Sequence, residues 1–171
     1  MIEAAALNSL LLSAAVLVAV SVSNHRNKKV IADYNVPLDS QSIVALLKRH
    51  GVLSSVMGSW VVFDNQGKEY AINISKLPVL VIIKQTSLED YQDNVAAFQE
   101  IAQTLSLDTV MASIHVDGNP VNRAIIQVDA IETCMGSFAQ RLKIYMDIIE
   151  ETEKRFFEEI RRREKIIDRL S

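Results

Sequence analysis

The chain has 171 residues, enough for one compact domain with extensions, and 49% of them are apolar, which supplies a core. A formal net charge of -3 gives no long-range attraction to nucleic acid. Cys134 is the only cysteine, which excludes an internal disulfide and a cysteine-built metal cage.

The first element expected is a single transmembrane helix over residues 1–24. No charged residue occurs from Ala4 to Ser23, and twenty helical residues span about 30 Å, the thickness of the hydrocarbon core. A helix also satisfies its own backbone there. Positive charge follows the run, in Arg26, Lys28 and Lys29, and the positive-inside rule then keeps the rest of the chain in the cytoplasm. A cleaved signal peptide would carry its charge ahead of a shorter apolar stretch, although Ser21-Val22-Ser23 is an acceptable small-x-small cleavage site. Ala5, Ser9 and Ser13 recur on one face, the pattern that lets membrane helices approach closely.

Residues 25–38 read as a juxtamembrane connector, closed by Val36-Pro37. An α+β domain is expected over residues 39–136. Asp39 or Ser40 caps a helix with Leu38, Ile43, Leu46 and Leu47 on one side and Gly51 past its end. A weak strand follows from Leu53 to Gly58, then a strong one at Trp60-Val61-Val62-Phe63-Asp64. The turn Asn65-Gln66-Gly67 leads to alternation in Tyr70, Ile72 and Ile74. The glycan-like triplet Asn73-Ile74-Ser75 lies inside this strand and is discounted. Past Pro78 the run VLVIIK is apolar on both faces, as in an interior strand.

Ser87 is expected to open an amphipathic helix with Leu88, Tyr91, Val95, Phe98, Ile101 and Leu105 at helical spacing. Thr109 to Val116 and Asn122 to Ile131 then form two strands joined by Asp117-Gly118-Asn119-Pro120. The element order taken from these segments is helix, three strands, helix, two strands, long helix, with an antiparallel sheet.

From Ser137 no Gly or Pro interrupts the chain, so residues 137–171 read as one charged amphipathic helix. A heptad seam runs through Leu142, Met146, Ile149, Phe156, Ile160, Ile167 and Leu170, broken by Glu153 and Arg163. That seam is assigned to self-association as a short or imperfect coiled coil. The first half of the helix is expected to pack on the domain and the charged second half to project. Glu150–Lys154, Glu151–Arg155, Glu158–Arg162 and Glu159–Arg163 are acid-first pairs that favour the helix.

Residues that could carry chemistry are few. His25, His50 and His115 are too far apart in sequence for a metal site, and His50 is better used as a cation at a helix end. His115 is a weak candidate base. Cys134 lacks a neighbouring activator. The single glycines make no phosphate loop. Arg161-Arg162-Arg163 is basic, but Glu158, Glu159, Glu164 and Asp168 interleave with the patch, as on a solvated helix face. Trp60 and Phe63 point to opposite faces of their strand, so one of them marks either a second packed layer or an interaction surface.

The segments IVALLKRHG, GSWVVFDNQGKEYAINI, VLVIIK and DYQDNVAAFQEIAQTL, in that order, resemble the type III secretion chaperone-like fold shared with the YbjN-like bacterial regulators. The resemblance implies a non-enzymatic binding module, commonly dimeric, that holds a partner segment, with no catalytic residues and no cofactor. The apolar N-terminal run and the charged C-terminal helix depart from the soluble chaperones. The reading favoured is a membrane-tethered adaptor or structural subunit that forms homo-oligomers and docks a protein partner on the cytoplasmic face, without nucleic acid. The alternative is a chaperone-like or sensory binding domain exported after signal cleavage.

Overall fold

The computed structural model describes residues 36–89, 95–109, 111–118 and 122–170, with backbone alone for 164–170. The expected anchor at residues 1–24 and its flank Arg26, Lys28 and Lys29 lie outside the described residues. Among the described residues no helix is long and apolar enough to cross a membrane.

Helix α1 (Ser40–Arg49) begins where Asp39, in extended conformation, accepts a hydrogen bond from the Ser42 N–H at 2.8 Å. It ends at His50, and Gly51 takes a positive φ of 74°, a conformation that favours glycine. Lys48 and Arg49 in its last turn complement the helix dipole.

Strands β1 (Ser54–Met57), β2 (Trp60–Asn65), β3 (Lys68–Lys76) and β4 (Val79–Ser87) follow as a meander. The β2–β3 hairpin turns at Gln66 and Gly67, both at positive φ, and Asp64 accepts from the Gly67 N–H at 2.9 Å. Helix α2 (Val95–Asp108) leads to β5 (Ala112–Asp117) and β6 (Arg123–Ile131), and helix α3 (Met135–Leu170) closes the domain. The six strands are antiparallel, in the order β1-β2-β3-β4-β6-β5.

Four strands, not three, precede α2, because the weak Leu53–Gly58 segment pairs with β2 through Met57↔Trp60 and Ser54↔Phe63. Ser87 does not open a helix. It ends β4, paired with Arg123, and the Leu88 N–H donates to Asn122 C=O. Residues 90–94, with Tyr91, lie outside the described residues.

One face of the sheet carries the core. The rungs Val61↔Ile72↔Ile82↔Val128↔Ala112 and Phe63↔Tyr70↔Lys84↔Ile126↔Ile114 run across five strands, and every member is buried. The described helices cover this face: α1 over β1 and β2, α2 over β5, and α3 across β4, β5 and β6. Phe63, not Trp60, faces the core, and Trp60 looks to the other side.

The core of the strands continues into α3. Met135, Phe138, Leu142, Tyr145, Ile149, Phe156 and Ile160 of α3 are all buried in the same core as the strands. Its second half does not project as far as residue 163, where Arg163 reaches Glu100 of α2 at 3.4 Å. A helix this amphipathic lowers its free energy by covering the nearest apolar sheet face, and the sheet of its own chain is available without association entropy.

The free edge of β5 is closed by α2. Ser106 Oγ accepts from the Ile114 N–H at 2.8 Å, and Gln99 donates to the Val116 C=O at 3.4 Å. Side chains that satisfy outward-facing backbone groups remove the template for an added strand. Phe98 and Ile101 of α2 are buried against this side. Phe98→Ala is expected to lower stability by about 3–5 kcal/mol, the range for truncating a buried aromatic, measured by urea unfolding. A midpoint that does not move would show that the α2 face is wrongly assigned.

Candidate functional site

The candidate site is a groove of about 440 Å³ between α1, the β2–β3 hairpin and the first half of α3. Leu46 and Leu47 of α1 form one wall, Ala139, Leu142 and Met146 of α3 the other, and Val52 and Phe63 the floor. His50, Asn65, Gln66, Lys143 and Asp147 form a polar rim. The volume falls within the usual range of ligand pockets, and an apolar interior with a few polar groups at the mouth is their usual composition.

A polar network beneath α3 fixes the groove. Tyr70 stacks on Phe63 with ring centroids 5.4 Å apart and donates its hydroxyl to Glu150 at 2.6 Å. Lys68 pairs with the other Glu150 oxygen at 3.0 Å. Burial, then the hydrogen bond to Glu150, raises the Tyr70 phenol far above its usual range, so it stays a donor. The Tyr70 hydroxyl and then Lys68 hold the Glu150 carboxyl below its ordinary value. One turn along α3, Glu153 accepts from Lys84 Nζ and from the Thr86 hydroxyl. Lys84 is buried, with its ammonium 5.8 Å from the Tyr70 ring centroid.

A second cluster secures the foot of α3. Glu132 is buried, and the hydroxyls of Ser137 and Tyr145 donate to it while Arg141 pairs with it at 3.5 Å. Burial, then the hydrogen bond to Glu132, raises the Tyr145 phenol. Hydrogen bonding with Ser137 holds the neighbouring Cys134 thiol below its usual value.

The residues singled out from sequence fall in several places. Leu142, Ile149, Phe156 and Ile160 of the expected seam lie in the domain's own core, and Met146 is half-buried on the groove wall. The side chains of Ile167 and Leu170 lie outside the described residues. Glu153 and Arg163, the two polar interruptions of the seam, meet Lys84 and Glu100 of the same chain. His50 caps α1 and joins the groove rim. His115 stands in the open on β5, with its Nε2 3.3 Å from Ser113 Oγ. Arg162 and Arg163 both reach Glu159, so this part of the basic patch is neutralised along the helix. Among the described residues no group of three or more His, Cys, Asp or Glu could hold a metal ion.

Sequence reasoning gave Tyr70 only a place in a strand and Glu150 only a pairing with Lys154, and did not single out Lys84 or Glu132. Lys84 carried a signal, as the one cation closing an otherwise apolar strand, and Glu153 carried another as an acid in an apolar seam. Opposite charges at two such interruptions are a reason to pair them.

Solved structures that superpose on the domain include the following two. One is YbjN from E. coli, described as a candidate transcription regulator, with a TM-score of 0.53 and 8% identity. The match covers 72% of this chain and 92% of that one. The domain has a YbjN-like fold. The other is an uncharacterized protein from Methanothermobacter thermautotrophicus, with a TM-score of 0.51 and 13% identity over 72% of this chain and 98% of that one. No protein-family model matches the sequence, and no curated protein matches it significantly. The YbjN-like fold supplies the sheet and the helices that frame the groove, and identities this low carry the fold alone.

Lys84 and Glu153 provide a direct test of the network. Their side chains are 6% and 16% exposed, so Glu153→Ala strands a buried ammonium. The expected loss is about 3–5 kcal/mol, whereas Lys84→Met with Glu153→Leu is expected to recover most of it. Urea unfolding of Glu153→Ala and of the double variant measures both. A Glu153→Ala loss under about 1 kcal/mol would mean that solvent reaches the pair.

Glu150 predicts a pH dependence. Its folded pKa lies below the unfolded value of about 4.3. Its stabilising contribution is therefore present above that pH and is lost as pH falls through the lower folded value. The stability difference between the native chain and Glu150→Gln is expected to be full at pH 7 and to shrink on acidification. A difference that is constant from neutral to strongly acidic pH would remove Glu150 from the network.

Proposed function

We propose that this chain is a non-enzymatic, membrane-tethered adaptor whose α1–α3 groove holds an apolar segment of a protein partner on the cytoplasmic face. The groove is the observation that carries the reading. It is open, its walls are apolar, and Glu150 at its edge is already engaged by Tyr70 and Lys68. Such a surface offers hydrophobic contact and shape, the terms that dominate recognition of short segments. Because α3 uses most of its apolar seam on its own sheet, we take the groove between α1 and α3, and not the seam, as the docking surface.

The coarser part of this reading, a small protein-binding or regulatory domain, agrees with the YbjN-like fold. The finer parts have other support. The uncharged run from Ala4 to Ser23, followed by Arg26, Lys28 and Lys29, supports the tether and its orientation. The resemblance to type III secretion chaperones, modules that hold a partner segment, supports the mode of binding.

Site-specific photo-crosslinking in the full chain tests the groove. A photoreactive residue at position 139, on the groove wall, is expected to give an adduct with a different protein. The same residue at position 144, which is exposed elsewhere on α3, is expected to give none. An adduct at 139 with twice the chain mass would assign the groove to a second copy. Equal labelling at both positions, or none, would overturn the groove as the docking surface.

A further inference from the structure

The two ends of the sheet differ in chemistry. At one end lie the Asp64–Glu69 hairpin, Ser87 and Gly118, where the tips are polar or charged, as solvent-facing turns usually are. Only Leu53 is a large exposed apolar residue there among the described residues. At the opposite end the chain turns through Leu77 and Pro78 between β3 and β4, and Val79 pairs with Ile131, the last residue of β6. Ile131 is 69% exposed, Leu77 44%, and Val36 and Val79 each 36%. Met57, at the nearby end of β1, is 65% exposed.

Val36, Leu77, Val79 and Ile131 meet at one corner. The Glu132 N–H donates to the Pro78 C=O at 2.9 Å, and three residues later the Met135 N–H donates to the Val36 C=O at 3.4 Å. Val36 is also where the described chain begins, and only residues 24–35 separate it from the uncharged run that ends at Ser23. Twelve residues reach at most about 40 Å when fully extended. A bilayer that held residues 4–23 would therefore hold the domain close, with the apolar corner at its point of attachment.

We infer that this corner rests on the lipid surface, with Leu77, Val79 and Ile131 in the headgroup and upper acyl region. The inference rests on the tethered reading above and specifies how the domain is oriented on the membrane. Tethering makes the contact intramolecular, so a patch too small to bind membranes alone is effective at the local concentration the connector imposes. Lys76 is exposed beside Leu77, and Arg26, Lys28 and Lys29 lie in the connector, where cations suit an anionic leaflet. Asp129 is exposed one residue before buried Ala130 on β6, which limits how far along the sheet the contact extends. In this orientation the polar hairpin tip between β2 and β3 points away from the membrane.

Depth-dependent fluorescence quenching tests the orientation. The full chain carries one tryptophan, so Trp60→Phe gives a silent background. Ile131→Trp and, as a control at the opposite end, Glu69→Trp are each reconstituted into vesicles of phosphatidylcholine with brominated acyl chains. Because interfacial side chains enter about 5–10 Å, emission at position 131 is expected to fall roughly twofold more than at position 69. Leu77→Trp repeats the measurement if Ile131→Trp does not fold. Equal quenching at the two ends, in protein that resists alkaline carbonate extraction, would overturn the orientation and leave the tether standing. Release by carbonate would remove the tether and the inference with it.

Discussion

Helix α3 can cross the sheet in one register only, because Glu153 must reach Lys84 and Glu150 must reach Tyr70 at the same time. Apolar contact alone would tolerate a slide along the helix by a turn, since Leu142, Ile149, Phe156 and Ile160 present similar shapes at similar spacing. A buried ammonium tolerates no such slide. Lys84 has a low-energy position only where a carboxylate meets it, and α3 supplies that carboxylate in Glu153, which also accepts from Thr86 of the same strand as Lys84. The remaining packing is built on that register.

The groove is one consequence. With α3 fixed over β4 and β6, its early turns stand apart from α1, and the gap is floored by Val52 and Phe63. The stacked Phe63–Tyr70 pair links floor and network, so a change at Glu150 is felt in the groove. The guarded edge is another consequence. Arg163 ties α3 to Glu100 of α2, and α2 in turn places Ser106 and Gln99 on the free backbone of β5.

One-sided coverage shapes the remainder. The described helices lie on one face, so Trp60, Val62, Ala71, Val81 and Ile83 remain half-buried on the other, in strands that read as apolar on both sides. That apolar character continues to the corner where Leu77, Val79 and Ile131 are exposed and where the chain enters the domain. The domain therefore has an apolar end, where the described chain begins, and a polar end opposite.

Periodicity and turn chemistry determined most of the local structure from sequence. Asp39 and Gly51 bound α1, and Gly67 forces the β2–β3 turn, because these depend on a residue's own backbone preferences. Alternation at Tyr70 and Ile72, and helical spacing through Phe98 and Ile101, gave the correct buried faces for the same local reason. The edge strand β1 was legible only as a weak segment, and Ser87 read as a cap because its pairing with Arg123 lies 36 residues away in sequence. The packing of the first half of α3 on the domain was legible from sequence, but the destination of the rest of its seam was not. A heptad pattern specifies an apolar stripe but not whether a second helix or the chain's own sheet covers it. Tertiary structure decided for the sheet, since Lys84 and Glu100 supply the charges that Glu153 and Arg163 require, and only the folded chain brings those pairs within reach.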